Sequence, residues 1–279
     1  MLDVLKVAGL RLLGAPVLSL LAFWLAAGSV ARAESVVLEP LADALLASAK
    51  PDNNYGGGGA LLVAAAATPK GEFQSLLRFD TAAVKNQLDA SFGSGQWIVS
   101  QVALQVASNS VVSALFGAPA AGSVRVHSLL NSGWAEGTGT PNAPTADGIT
   151  FGGLTALLSP GDENLGAFAV GTSTPTNYDF HLLASPTLSG RIHDGQILSL
   201  RLDAADDLVT IAFGSRTNNN AALHPALMIT AVAVPEPAAW ATASSGMLLI
   251  GWLCRRCSTR AVSSPAARRR AITTMLAAW

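Results

Sequence analysis

The sequence predicts an all-β protein: a single jelly-roll-like antiparallel β-sandwich, flanked by an N-terminal export segment and a C-terminal membrane segment. Three observations lead there. Short β-type runs separated by turn residues recur between residues 34 and 233, several with clear period-2 apolar alternation. Helical periodicity is almost absent from that span. Charge is also partitioned along the 279 residues, although the formal net charge is only −1. Residues 34–237 hold eight Lys/Arg against 17 Asp/Glu, a charge of −9, while both ends are basic and apolar. An acidic body lacks the cationic footprint that nucleic-acid binding requires.

Taken in order, residues 1–33 read as a signal peptide. Lys6 and Arg11 precede the apolar run Leu12–Ala27, and Ala31-Arg32-Ala33 is a small-x-small cleavage motif before Glu34. An uncleaved anchor is the alternative, but the run is short for a bilayer span.

Residues 34–233 form one β domain, with runs at Ser35–Leu38, Ala44–Ala47, Ala60–Ala65, Gln74–Asp80, Ile98–Ala107, Ser123–Leu129, Tyr178–Leu183, Gln196–Asp203, Leu208–Gly214 and Ala226–Ala233. Val102, Leu104 and Val106 share one face, as do Leu198, Leu200 and Leu202, and Val209, Ile211 and Phe213. Thr81–Leu88 reads as one short helix. Asn53–Gly59 and Trp134–Gly153 are long loops rich in Gly, Pro and Asn. The body contains no cysteine and so holds together without disulfides.

Residues 234–256 form a third segment. Val234-Pro235-Glu236-Pro237 breaks any regular element, Ala238–Cys254 is apolar, and Arg255-Arg256 closes it. As a helix the apolar run is about 26 Å long, just enough to span a bilayer. The arginines would hold its end in the cytoplasm. Cys254 and Cys257 stand there without a second pair or a nearby His, too few for zinc. Residues 257–279 form a basic tail that either lies on anionic lipid or extends the reading frame accidentally.

Few residues in the body suggest chemistry. There is no Gly-x-Ser-x-Gly, no His-Glu-x-x-His and no cysteine nucleophile, and His127, His181, His193 and His224 are scattered singly. Gly56–Gly59 lacks the Gly-Lys-Ser/Thr of a phosphate loop. Trp134 either stacks on a sugar ring or fills the core. Tyr55, in its Asn-Asn-Tyr-Gly loop, is a ligand platform or a turn anchor. Arg78 alternates with Leu77 and Phe79, facing a ligand or a strand neighbour. Asp203, Asp206 and Asp207 admit a structural calcium ion, the only cofactor the sequence suggests.

The Pro-Glu-Pro, apolar span and Arg cluster, in that order behind a signal peptide, resemble the PEP-CTERM sorting signal of Gram-negative, exopolysaccharide-producing bacteria. The resemblance implies recognition of Pro235, Glu236 and Pro237 by a membrane enzyme of the exosortase type, with Arg255 and Arg256 as the stop. The inner membrane would hold the chain in transit, before release or transfer to the surface. The 23 residues after Arg256 depart from that family, whose members end close to the cluster.

Asp43-Ala44, Asn54-Tyr55-Gly56, Leu76-Leu77-Arg78-Phe79-Asp80, Gly133-Trp134-Ala135-Glu136-Gly137, Phe213-Gly214-Ser215-Arg216 and His224-Pro225-Ala226-Leu227 resemble, in order, the DNRLRE family of extracellular β-sandwich domains. Some members of that family are carbohydrate-binding modules, which implies an extracellular polysaccharide as partner. Thr140-Pro141 stands where the family often has a second Trp, and Thr217 replaces its Glu. The expectation is therefore an exported, non-catalytic surface or matrix protein associating with biofilm glycan. A displayed structural or adhesive domain without a glycan ligand, and a polysaccharide-degrading enzyme, are the alternatives.

Overall fold

The computed structural model describes residues 32–109, 117–173 and 175–234. Within it Arg32–Val234 forms one compact unit. The chain runs β1 (Ala33–Leu38), β2 (Ala42–Ala47), β3 (Ala60–Ala64), β4 (Phe73–Asp80), α1 (Ala82–Phe92), β5 (Trp97–Ala107), β6 (Gly122–Leu129), α2 (Leu154–Leu157), β7 (Glu163–Val170), β8 (Asn177–His181), α3 (Pro186–His193), β9 (Ile197–Ala204), β10 (Thr210–Gly214), a 3-10 turn (Ala221–Leu223) and β11 (Ala226–Ala233).

Two antiparallel sheets build an all-β sandwich. The smaller has the order β1-β11-β5-β8, and the larger β10-β3-β4-β9-β6-β7, with β2 also paired to β4. Between them lies one apolar core. Val102, Leu104, Val106, Leu227 and Ile229 of the small sheet meet Leu61, Val63, Leu77, Phe79, Val124, Val126, Leu198, Leu200, Leu202, Ile211 and Phe213 of the large one. The alternation read from the sequence thus selects the inward face of each strand.

The large sheet is buried on its outer face too. Trp134, Leu154 and Leu157, with Ile149 and Phe151, fold back over Ala42, Ala44, Leu46 and Leu76. A neighbouring cluster of Leu45, Ala47, Leu62, Ala64, Phe73 and Ala212, with Tyr55 against it, covers β3 and β10, so β2, β3 and β10 are buried at every residue and read as near-continuous apolar runs. Where β3 departs from β4, the Ser75 hydroxyl accepts from the Leu62 N–H (2.9 Å) and donates to the Leu62 carbonyl (2.8 Å). That single side chain satisfies both main-chain groups.

Several elements differ from the sequence reading, among them α2 (Leu154–Leu157), which follows directly on the loop read over residues 134–153. The helix beginning near Thr81 continues to Phe92. Strand β7 was not anticipated: Gly166, at φ +108°, lies in a register shift opposite Arg125/His127, so its inward residues Leu165 and Phe168 stand three apart and break period 2. Helix α3 was missed as well, although Ser185 accepts from the Leu188 N–H at its start and Pro186 follows the cap.

Both ends of the sandwich leave from the same pole. Ala33 lies opposite Val232, Val232 opposite Ile98, and the Val234 N–H donates to the Gln96 carbonyl. Strand β5 starts there at Trp97 and runs about 33 Å to Ala107 at the far pole. Among the described residues no helix is long and apolar enough to cross a membrane, and the apolar segment Ala238–Cys254 lies outside them.

Candidate functional site

Residues far apart in the chain converge on the outer face of the large sheet. Asn54 is wholly buried, and its amide makes four bonds. Nδ2 donates to the carbonyls of Glu136 (2.6 Å) and Ile149 (2.8 Å), while Oδ1 accepts from the N–H groups of Gly56 and Gly139 (3.1 Å each). The full capacity of one side-chain amide is spent on main chain. Gly148 is required beside it, because a Cβ there would stand 2.6 Å from Asn54 Nδ2 and from the Glu136 carbonyl oxygen.

One strand away, Asp43 is 1% exposed. Its Oδ2 accepts from the Arg216 N–H (2.6 Å), while the Arg216 guanidinium grips Glu136 Oε2 at 2.7 and 3.0 Å. Burial pushes the Asp43 carboxyl up to about 7, against the pull of the Arg216 N–H. The folded protein therefore binds a proton that the unfolded chain, titrating near 3.8, has already released. The charged form is penalised at and above neutrality, so stability gains on the order of a few kcal/mol as pH falls from above 7 towards 4. Thermal melts across this range, compared between wild type and Asp43→Asn, should show that slope only in the wild type. Equal slopes would assign the pH dependence elsewhere.

Arg78 and Trp134 form a third contact. The guanidinium carbon of Arg78 sits 5.0 Å from the Trp134 ring centroid, Nη1 donates to the Trp134 carbonyl, and Trp134 Nε1 donates to Ser199 Oγ at 3.0 Å. Trp134 is 5% exposed. The loop over the sheet thus turns the indole inward, which corrects its reading as a sugar platform, while Arg78 is half-buried and engaged by the indole and the Trp134 carbonyl. Tyr55 is half-buried against the cluster of Leu45, Leu62, Phe73 and Ala212, and its hydroxyl accepts from Asn53 Nδ2 (3.1 Å), which makes it a turn anchor.

The three aspartates do not gather. Asp203 lies among basic side chains, with Arg125 Nε and Arg201 Nη2 at 3.0 Å and His127 Nε2 at 3.4 Å. Burial alone would raise its carboxyl, but His127, Arg125 and Arg201 outweigh this and hold it low. Asp206 accepts from the N–H groups of Ser123, Leu208 and Val209, and Asp207 is exposed. Among the described residues, no three His, Cys, Asp or Glu side chains are placed to hold a metal ion.

The histidines also stand apart. His193 packs on Trp97 with centroids 4.7 Å apart, and His224 Nε2 lies 2.8 Å from the Asn218 carbonyl.

At the far pole, where β5 ends, an open cleft of about 750 Å³ lies between the Gly57–Gly59 turn and the loop before β11. Ser108, Asn109, Pro175, Thr217, Asn218, Asn219, Asn220 and Leu223 complete its lining, and none of these residues is charged. Asn218 shapes it by donating from Nδ2 to the Gly59 carbonyl (2.8 Å) and accepting from the Asn220 N–H (2.9 Å). Asn219 and Asn220 are exposed. Sequence reasoning passed over this cleft. Its one sequence signal is the polar run Thr217-Asn218-Asn219-Asn220 directly after a strand.

Ala33 belongs to β1. Ala31, Pro235, Glu236, Pro237, Arg255 and Arg256 lie outside the described residues. Compared with known protein families and with curated proteins, the chain matches no family model and no curated sequence.

Proposed function

We propose that this chain is an exported, non-catalytic surface or matrix protein whose sandwich binds a neutral extracellular polysaccharide through the far-pole cleft. The observation that carries the proposal is the cleft itself: a groove of amides, hydroxyls and main chain with Pro175 and Leu223 beside them, its lining residues without charge, opposite the pole where both chain ends leave. Amide and hydroxyl groups exchange hydrogen bonds with sugar hydroxyls, and an uncharged groove on an acidic body does not select a polyanion.

Sorting follows the Pro235-Glu236-Pro237 motif, the apolar span and Arg255-Arg256. On this reading an exosortase-type enzyme processes the chain at the inner membrane and passes the sandwich to the cell surface or matrix. The chain crosses between the two sheets repeatedly, with β5 and β8 each flanked in sequence by strands of the other sheet and β11 following one, and this supports the jelly-roll arrangement.

Retention of the exported protein on a neutral β-glucan, a neutral galactomannan and acidic alginate tests the proposal. Saturable retention on a neutral polymer, unchanged by EDTA and high salt, is the expected result. Retention on alginate alone that EDTA abolishes would overturn the neutral-ligand reading. Retention on none would favour a displayed structural or adhesive domain, and shortening of a polymer would make the protein an enzyme.

A further inference from the structure

We infer that the small sheet carries a second sugar subsite, a pocket of about 270 Å³ beside the far-pole cleft, and that one neutral polysaccharide chain occupies both at once. The inference rests on the reading of the cleft as a polysaccharide site. The pocket follows from strand register. Gln105 of β5 stands opposite Asp179 of β8 and Ala226 of β11, and Ala107 stands opposite Asn177. Paired positions share a face, and the neighbouring Val106, Tyr178 and Leu227 belong to the core or pack against it. Gln105, Asn177 and Asp179 therefore project outward together, around Ala107 and Ala226, whose methyl groups leave the floor low.

Pocket and cleft are two sides of one wall. Leu223 of the 3-10 turn lines the cleft, while Ala222 and His224 on either side of it line the pocket. Three bonds fix this wall: Asn220 Oδ1 accepts from the Ala222 N–H (3.1 Å), the His224 N–H donates to the Ala221 carbonyl (3.1 Å), and His224 Nε2 donates to the Asn218 carbonyl (2.8 Å). Three residues extend about 10 Å at most, so a chain filling the cleft reaches the pocket within a few sugar rings. With Nε2 donating, the neutral imidazole keeps Nδ1 as an acceptor. Asp179 adds carboxylate oxygens, and the amides of Gln105 and Asn177 both donate and accept. Among the described residues, no hydrogen bond or ion pair within the protein engages these last three side chains. Acceptors without a neighbouring cation suit the hydroxyls of a neutral sugar, whereas a uronate carboxylate would meet Asp179 as a like charge. The volume falls just under the roughly 300–1,000 Å³ of pockets for drug-sized ligands and suits a single ring.

The test is calorimetric titration of the exported protein with trisaccharides and hexasaccharides of the neutral β-glucan and galactomannan, for wild type, Asp179→Ala, Asp179→Asn and Ala226→Phe. Asp179 is exposed, so its replacement leaves the fold intact, and a phenyl ring at 226 fills the pocket from its floor. The wild type should bind the hexasaccharide about fivefold or more tightly than the trisaccharide, because the longer chain engages both subsites. Asp179→Ala and Ala226→Phe should remove that difference, with trisaccharide affinity and melting temperature unchanged. Asp179→Asn keeps one acceptor oxygen and should fall between. Hexasaccharide binding by Asp179→Ala and Ala226→Phe equal to that of the wild type would overturn the second subsite and leave the cleft reading standing. A wild type that binds neither the oligosaccharides nor the neutral polymers would overturn the polysaccharide reading and this inference with it.

Discussion

Replacing Asn54 by Ala is expected to lower the unfolding free energy by about 4 kcal/mol or more, the largest effect of any single polar substitution in the sandwich. The deletion strips partners from two carbonyls and two N–H groups, those of Glu136, Ile149, Gly56 and Gly139. Each buried orphan costs about 1–3 kcal/mol, and neighbouring losses are not independent. Asn54→Asp should be nearly as damaging, because a carboxylate would face the Glu136 and Ile149 carbonyls where the amide donated to them. Urea unfolding of the exported protein at neutral pH measures both. A loss below about 1 kcal/mol for Asn54→Ala would mean that water replaces the amide and that the loop does not depend on it.

Trp134→Ala should cost about 3–5 kcal/mol, the usual range for removing a large aromatic from a packed site. The indole fills the space among Leu76, Leu129, Leu154 and Leu157, and Arg78 stacks on it. Trp134→Phe keeps most of that volume and loses the bond to Ser199, so about 1–2 kcal/mol is expected. Glycan retention by the folded Trp134→Phe protein should equal that of the wild type. Lost retention at unchanged stability would return Trp134 to the binding surface.

These two residues show what the sequence conveyed and what it hid. Alternation in β5, β9 and β11 identified the inward faces, since period 2 survives wherever one face meets the core. It failed at β7, where the bulge at Gly166 resets the phase. Asn54, Asp43, Glu136 and Arg216 were legible only as landmarks of a resemblance. Their shared task is to fasten the loop of residues 134–153 and the turn after β10 to the large sheet, and it links positions up to 173 apart in sequence. No local pattern encodes such a contact. The cleft was invisible for a related reason, because Ser108, Gly58 and Asn219 meet only after the sheets have formed. Asp203 misled: in sequence it stands beside acidic neighbours, whereas across the sheet it faces Arg125 and, next to it on the strand, Arg201.

The most direct single measurement compares retention on the neutral polysaccharide between wild type and Asn219→Trp. Asn219 is exposed and lines the cleft, so an indole there fills the groove without entering the core. The same melting temperature with retention weakened at least tenfold is the result expected if the sandwich holds glycan at its far pole. Full retention by a folded Asn219→Trp protein would contradict it and move the binding surface off the cleft.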